Sequence, residues 1–320
     1  MMPKTTIDLV DPELRPTMES LPAFKIGTET LAEVRAGVLD FVPPTADYER
    51  DDVKMESRTI PGLEGGPDIG INIFTPIGGD DLKPAMLHIH GGGYIVGTAD
   101  LGNVGNTRTA SEVGCVVVSV DYQLSPEVTA PTAVKECYTA LKWLHENADE
   151  LGVDRCRIAI GGESAGGGLT ANLALYARDC GEIDICFQLL IYPMLDDRTV
   201  TCSDGNPHVG EFGWTRDANA FGWTSLLGQS PGEEEVPPYS VAARATDLSN
   251  LPPAYMYVGS LDLFLEEDVE YAMRMLKAGV PVELHVLAGA YHGFEMAPEA
   301  RVSIKAEQES RDALKRVFEQ

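Results

Sequence analysis

From residue 55 onward the chain alternates short apolar runs with longer stretches of helical spacing. The runs are 69–75 (IGINIFT), 84–90 (PAMLHIH), 115–120 (CVVVSV), 157–161 (RIAIG), 185–192 (ICFQLLIY), 254–258 (AYMYV) and 282–287 (VELHVL). Several are continuous and β-branched rather than alternating, as in strands buried on both faces of a parallel sheet. Helical spacing occupies 104–113, 131–148, 165–179, 264–278 and 302–318. The rhythm predicts an α/β chain: a mostly parallel, doubly wound sheet of about eight strands with helices on both sides.

Two regions break the rhythm. Residues 1–45 read as short helices joined by prolines, before any strand. Residues 196–250 are acidic and Gly/Pro-rich around one helical stretch, 215–227, and are too long for an ordinary connection. Both are expected to form a small helical cap over the carboxyl ends of the strands, where open α/β sheets bind ligands. That divides the chain into a catalytic domain, 46–195 with 251–320, and a cap, 1–45 with 196–250. Within the second segment, Gly232-Glu233-Glu234-Glu235 reads as a solvated loop.

Composition narrows the partners. Across 320 residues, 24 basic and 50 acidic side chains leave a net charge of −26. A field of that sign opposes nucleic acid and anionic membranes and suits a neutral or cationic small molecule. No apolar stretch approaches the length of a membrane span, and 1–16 carries no apolar core of a signal peptide. The six cysteines (115, 137, 156, 180, 186, 202) form no CxxC pair, so the expectation is scattered core thiols in a reducing cytoplasm.

The sharpest chemical signal is Gly162-Glu163-Ser164-Ala165-Gly166, placed directly after one strand and before one helix. In that context GxSxG predicts a nucleophile elbow, with Ser164 Oγ above the sheet and a helix amino terminus beside it. His90-Gly91-Gly92-Gly93-Tyr94 follows another strand, and its glycines let backbone N–H groups turn toward a ligand. Gly91, Gly92 and Ala165 are therefore the expected oxyanion donors. The pair His88 and His90 runs straight into glycines with no further ligand pattern. No metal or cofactor is expected, and His90 is expected to hold the loop.

A base must come from six histidines. His88 and His285 lie in strands, His145 on a polar helix and His208 in the insertion. His292, in Ala290-Tyr291-His292-Gly293-Phe294, follows the last strand at its carboxyl end. The acid must share that end of the sheet. Asp184 precedes its strand and Asp247 precedes the next. Asp196 and Asp197 begin the insertion, while Asp204 and Asp217 lie within it. Asp262 follows strand 254–258, with Glu266, Glu267 and Asp268 beyond it on a helix. The reading is a triad in the order Ser164, Asp262, His292. The aromatics Tyr94, Tyr192, Phe212, Trp214, Phe221 and Trp223 are candidates for the substrate pocket, or for glue within the cap.

These motifs resemble the hormone-sensitive lipase-like, family IV bacterial carboxylesterases over nearly the whole chain. The resemblance runs from Val10-Asp11-Pro12-Glu13-Leu14-Arg15-Pro16 through His90–Tyr94 and Asp121-Tyr122-Gln123-Leu124-Ser125-Pro126-Glu127. It continues through Gly162–Gly167, Tyr192-Pro193-Met194, Asp262-Leu263 and Tyr291-His292-Gly293-Phe294. It implies the α/β-hydrolase fold, hydrolysis of short- to medium-chain esters, no cofactor, a helical cap and frequent dimerisation through the last strand, 282–287. Three positions depart from the family pattern. Glu163 stands where Asp is usual before the nucleophile, Leu263-Phe264 replaces Pro-Leu after the acid, and Gln123 replaces an arginine. The same triad would serve an arylformamidase or amidase. A receptor of the plant gibberellin kind would lack the histidine found here at 292.

Overall fold

In the computed structural model, residues 5–20, 25–79, 81–202 and 205–319 are described. Eight strands form one sheet in the order β1-β2-β4-β3-β5-β6-β7-β8. They are β1 Val53–Ile60, β2 Ile69–Pro76, β3 Lys83–Ile89, β4 Val116–Asp121, β5 Val153–Glu163, β6 Phe187–Ile191, β7 Ala254–Gly259 and β8 Val282–Leu287. β2 runs antiparallel to both β1 and β4, and the rest of the sheet is parallel.

Side-chain alternation sorts the core into two layers. Leu87, Ile89, Val116, Val118, Ile158 and Ile160 join a cluster with Leu141, Leu169, Leu173 and Met275 on helices Thr132–Glu146, Ala165–Cys180 and Leu265–Lys277. Their neighbours Met86, Val117 and Ala159 point the other way. They meet Ala110, Ala306, Leu314 and Phe318 on helices Asn103–Val113 and Arg301–Phe318. The central strands are therefore apolar at nearly every position. β1 lies at the edge, and its interior positions are exposed or half-buried between a buried Val53 and a buried Ile60.

Chain direction reverses at β3. The chain moves outward from β3 to β4, then crosses back over β3 to β5. Beside such a switch the loops after the two central strands part and leave a crevice. Here the pairing of Ile89 with Gly162 sets the glycine loop after β3 against the turn after β5.

The insertion between β6 and β7 carries a short 3₁₀ turn Asp197–Val200, the helix Arg216–Leu227 and a second turn Ala242–Arg244. It is tied down by side chains gripping backbone. Buried Asp197 accepts two bonds from Arg244, at 2.8 and 2.7 Å, and one from Gly232 N–H at 2.7 Å. Arg244 also donates to the Glu233 and Glu234 carbonyls, so the acidic loop is pinned at its backbone. The Glu267 carboxylate accepts from Leu195 N–H at 2.7 Å and Asp196 N–H at 3.2 Å.

The amino-terminal segment holds helices Thr6–Leu9, Arg15–Ser20, Leu31–Leu39 and Thr45–Tyr48 and straps two distant loops. Asp11 N–H donates to Gly289 O at 3.0 Å, and Glu13 pairs with Arg301. Arg35 donates to Ile95 O at 2.8 Å and Ser125 O at 2.9 Å, and forks onto Glu127. Among the described residues no helix is long and apolar enough to cross a membrane.

Candidate active site

Ser164 sits between β5 and the Ala165–Cys180 helix with φ 56° and ψ −121°, outside the regions that L-residues ordinarily adopt. Such strain persists only where the surroundings fix it. Here Ser164 N–H donates to Ile191 O, while its carbonyl accepts from Gly168 and Met194 N–H, each at 2.9 Å. The flanking glycines are required by crowding: a methyl group on Gly162 would lie 2.3 Å from Ile89 O, and one on Gly166 only 2.0 Å.

Three loops from the carboxyl ends of β5, β7 and β8 converge. His292 Nε2 lies 2.8 Å from Ser164 Oγ, and His292 Nδ1 lies 2.8 Å from Asp262 Oδ2. Asp262 is fully buried, and its other oxygen accepts from Phe264 N–H at 3.0 Å. The Phe264 ring stands edge-on to the imidazole at 5.0 Å and the Tyr192 ring at 4.7 Å. A serine, an imidazole and a carboxylate in this order can move a proton from Oγ to the ring while the carboxylate holds the tautomer. Of the other acids considered, Glu267 and Asp197 serve the insertion as described above, and Asp204 lies outside the described residues.

The glycine loop differs from expectation in one respect. Gly91 N–H donates to Glu163 Oε1 at 3.1 Å and is not free for a ligand. Gly92 and Gly93 N–H have no acceptor among the described residues, and Ala165 opens its helix, where N–H groups lack intrahelical partners. Glu163 also meets His88 Nε2 at 3.0 Å, and His88 Nδ1 reaches Ser119 Oγ at 2.9 Å. Burial alone raises the Glu163 carboxyl, but the His88 ring and Gly91 N–H outweigh it and hold it below its usual range. The longer Glu, in place of Asp, thus ties the elbow to β3 and to the glycine loop. His90 stacks on Tyr122 at 4.3 Å, and its Nδ1 lies 2.7 Å from Gly91 O.

The six aromatic candidates separate. Trp214 lies 6.4 Å from His292 between ring centroids, and a methyl group on Gly93 would come within 2.3 Å of its ring. Its indole N–H donates to Asn219 Oδ1 at 3.0 Å. Phe212, half-buried, packs on Tyr291 beside the histidine, and Tyr192 touches the imidazole directly. Trp223 and Tyr94 fall on the packing side of the choice between pocket and glue. Trp223 is fully buried against the Tyr94 ring, and the Tyr94 hydroxyl donates to Met194 O at 2.9 Å. With φ 67° the backbone at Tyr94 turns its side chain under the loop, against Gly168, so both rings are core. Phe221 is half-buried against the same core cluster. Among the described residues no group of three or more His, Cys, Asp or Glu side chains is placed to hold a metal ion.

Residues 86–296 match the family model described as the alpha/beta hydrolase fold. Carboxylesterase NlhH of Mycobacterium tuberculosis is 32% identical over 288 residues, covering 89% of this chain and 88% of that protein. Esterase LipI of the same organism is 32% identical over 296 residues, with the same coverage. Among solved structures, a bacterial heroin esterase superposes with a TM-score of 0.91 at 38% identity, covering 98% of this chain and 99% of that one.

Proposed function

The chain belongs to the alpha/beta hydrolase fold family, in its hormone-sensitive lipase-like branch of carboxylic ester hydrolases, and from that premise we propose that it works through an acyl-enzyme formed on Ser164. One observation carries this reading: the unbroken line from Ser164 Oγ through both nitrogens of His292 to buried Asp262, each contact 2.8 Å.

His292 takes the Ser164 proton as Oγ attacks the ester carbonyl, whose π electrons move onto oxygen. Gly92, Gly93 and Ala165 N–H groups receive that oxyanion. Gly91, already bonded to Glu163, is left out of the set. The oxyanion then re-forms its carbonyl, the C–O bond to the alcohol breaks, and His292 protonates the departing oxygen. Water repeats the cycle on the acyl-enzyme and releases the acid. Asp262 stays ionised throughout, favouring the Nδ1–H tautomer and the transient imidazolium. Residues 1–45 and 196–250 act as a cap over this centre. The resemblance to hormone-sensitive lipase-like esterases supports short to medium acyl chains, and Trp214, pressed against Gly93, is a side chain placed to bound them.

The test is Ser164→Ala, assayed on p-nitrophenyl esters from acetate to octanoate and with a fluorophosphonate label. The variant should melt like the parent, take no label and lose about 10⁶-fold in kcat, the scale found when a serine nucleophile is removed. Retention of more than a few per cent of the activity would remove Ser164 from the mechanism.

A further inference from the structure

Behind the triad, under helices Asn103–Val113 and Arg301–Phe318, lies a cleft of about 240 Å³. Its wall carries three carboxyls that the chemistry above does not consume, Glu163, Glu295 and Glu307. Glu163 is committed to His88 and Gly91. Glu295, three residues past His292 in the turn Phe294–Met296, has a different set of partners. One oxygen accepts from the Tyr192 hydroxyl at 3.1 Å and the other from the Tyr257 hydroxyl. Tyr192 follows β6 directly and Tyr257 lies in the adjacent β7, with Tyr192 N–H bonded to Tyr257 O at 2.7 Å. The Tyr192 ring is the one that packs edge-on against His292.

We propose that Glu295 is a positioning residue for the base: through Tyr192 and Tyr257 it fixes the His292 loop from behind, and its charge favours the imidazolium formed during acyl transfer. The proposal rests on His292 being the base.

The hydrogen bonds favour an anion at this position. Two hydroxyl donors satisfy a carboxylate, whereas a neutral acid would need one tyrosine to turn and accept. Burial pushes the Glu295 carboxyl up to about 7, against the Tyr257 and Tyr192 hydroxyls, its own backbone N–H and His292, which pull it down. The carboxyl therefore changes charge near neutral pH, and it does so on the wall of the cleft. Other charged groups face it too. Glu307, on the carboxyl-terminal helix, is held by Arg108 at 2.7 Å and Arg311 at 3.4 Å. Glu163, on β5, is held by His88, and Asp262 by His292. The Tyr291 hydroxyl reaches Leu14 O at 3.4 Å.

Removing a negative charge behind the base has two effects of opposite appearance. The imidazole is freed of its proton at lower pH, yet the imidazolium needed in the transition state is less favoured. In Glu295→Gln the acid limb of kcat/KM for p-nitrophenyl acetate should move down by about half to one pH unit, typical for loss of one nearby charge. The plateau kcat should fall about fivefold, with KM within about twofold, as for an interaction made mainly in the transition state. Tyr257→Phe leaves one oxygen without its donor, so Glu295 takes up its proton sooner and the plateau is reached at higher pH. The same profiles, taken on the rate of fluorophosphonate labelling of Ser164, need the triad but no ester. Opposite shifts of the two variants in both assays support the proposal. Profiles that superimpose on the parent, or a loss confined to KM, overturn it. If Glu295→Gln shows no cooperative melt, an unmoved acid limb in Tyr257→Phe overturns it alone. A parent protein that labels but does not turn over esters would sink the ester reading and leave this one standing.

Discussion

The strand ends that carry Ser164, Asp262 and His292 differ from the insertion above them in what holds them in place. The strand ends inherit their positions from a ladder. Gly162 is registered on Ile89, Glu163 on Ile191 and Gly259 on Leu287, so three loops start from fixed points. The described residues of the insertion form no ladder. Its backbone is gripped by a few charged side chains, chiefly Asp197 with Arg244 and Glu267 at its root. A ladder spreads its burden over many bonds, whereas a clasp concentrates it in one or two. The proposed cap would then set substrate choice in a part that can change without disturbing the chemistry fixed by the sheet.

The sharpest way to break that comparison is Asp262→Asn. The buried amide keeps the packing but favours the wrong imidazole tautomer, so kcat should fall by up to about 10⁴-fold, roughly 5 kcal/mol of barrier. Glu266→Gln, outside the line of contacts, is the control. Kinetics in which Asp262→Asn stays near the parent while Glu266→Gln collapses would reassign the acid.

Next in size is the clasp. Asp197→Ala strips Arg244 of its bidentate partner and Gly232 N–H of its acceptor, and losing one side of a buried pair costs about 3 kcal/mol. Denaturant unfolding should register that loss, while fluorophosphonate labelling of the folded fraction at Ser164 continues at the parental rate. Labelling that disappears with the stability would show that insertion and strand ends are a single cooperative unit.

The smallest effect is expected at the contact between the two parts. Trp214→Ala opens the wall over Gly93 and should raise kcat/KM for octanoate relative to acetate by about tenfold, or ~1.4 kcal/mol. A uniform loss at every chain length would make Trp214 structural, as buried Trp223 is.

How much of this could be read from sequence follows the same division. The six inner strands, β2 to β7, declared themselves by apolar runs, and edge strand β8 did so by its apolar residues although none of its positions is fully buried. β1 did not, because Lys54, Glu56, Ser57, Arg58 and Thr59 face outward or lie at the rim of the sheet. Ser164, Asp262 and His292 were legible from their place relative to strands, since position at a strand end is a local property. The partners Glu163–His88, Glu295 with its two tyrosines, and Asp197–Arg244 were not. Each joins side chains between 38 and 103 residues apart, and no local pattern announces such a meeting. Gly91 shows the limit most clearly: the triple glycine fixed a loop of donors, but only the unusual length of Glu163 decided which donor was already taken.

The amino-terminal strap carries a consequence for synthesis. Glu13 leaves the ribosome well before its partner Arg301, which lies 288 positions further along the chain. Leu14 waits 277 positions for Tyr291, and Asp11 waits for Gly289. Contacts so remote in the chain form late, because the intervening loop must close before they return any energy. The segment around Glu13 is thus made before the sheet yet docks after it, on the loop that bears His292. A nascent chain can build its central strands early while still lacking a working centre, so hydrolytic power should arrive only once the His292 loop has emerged and met this segment.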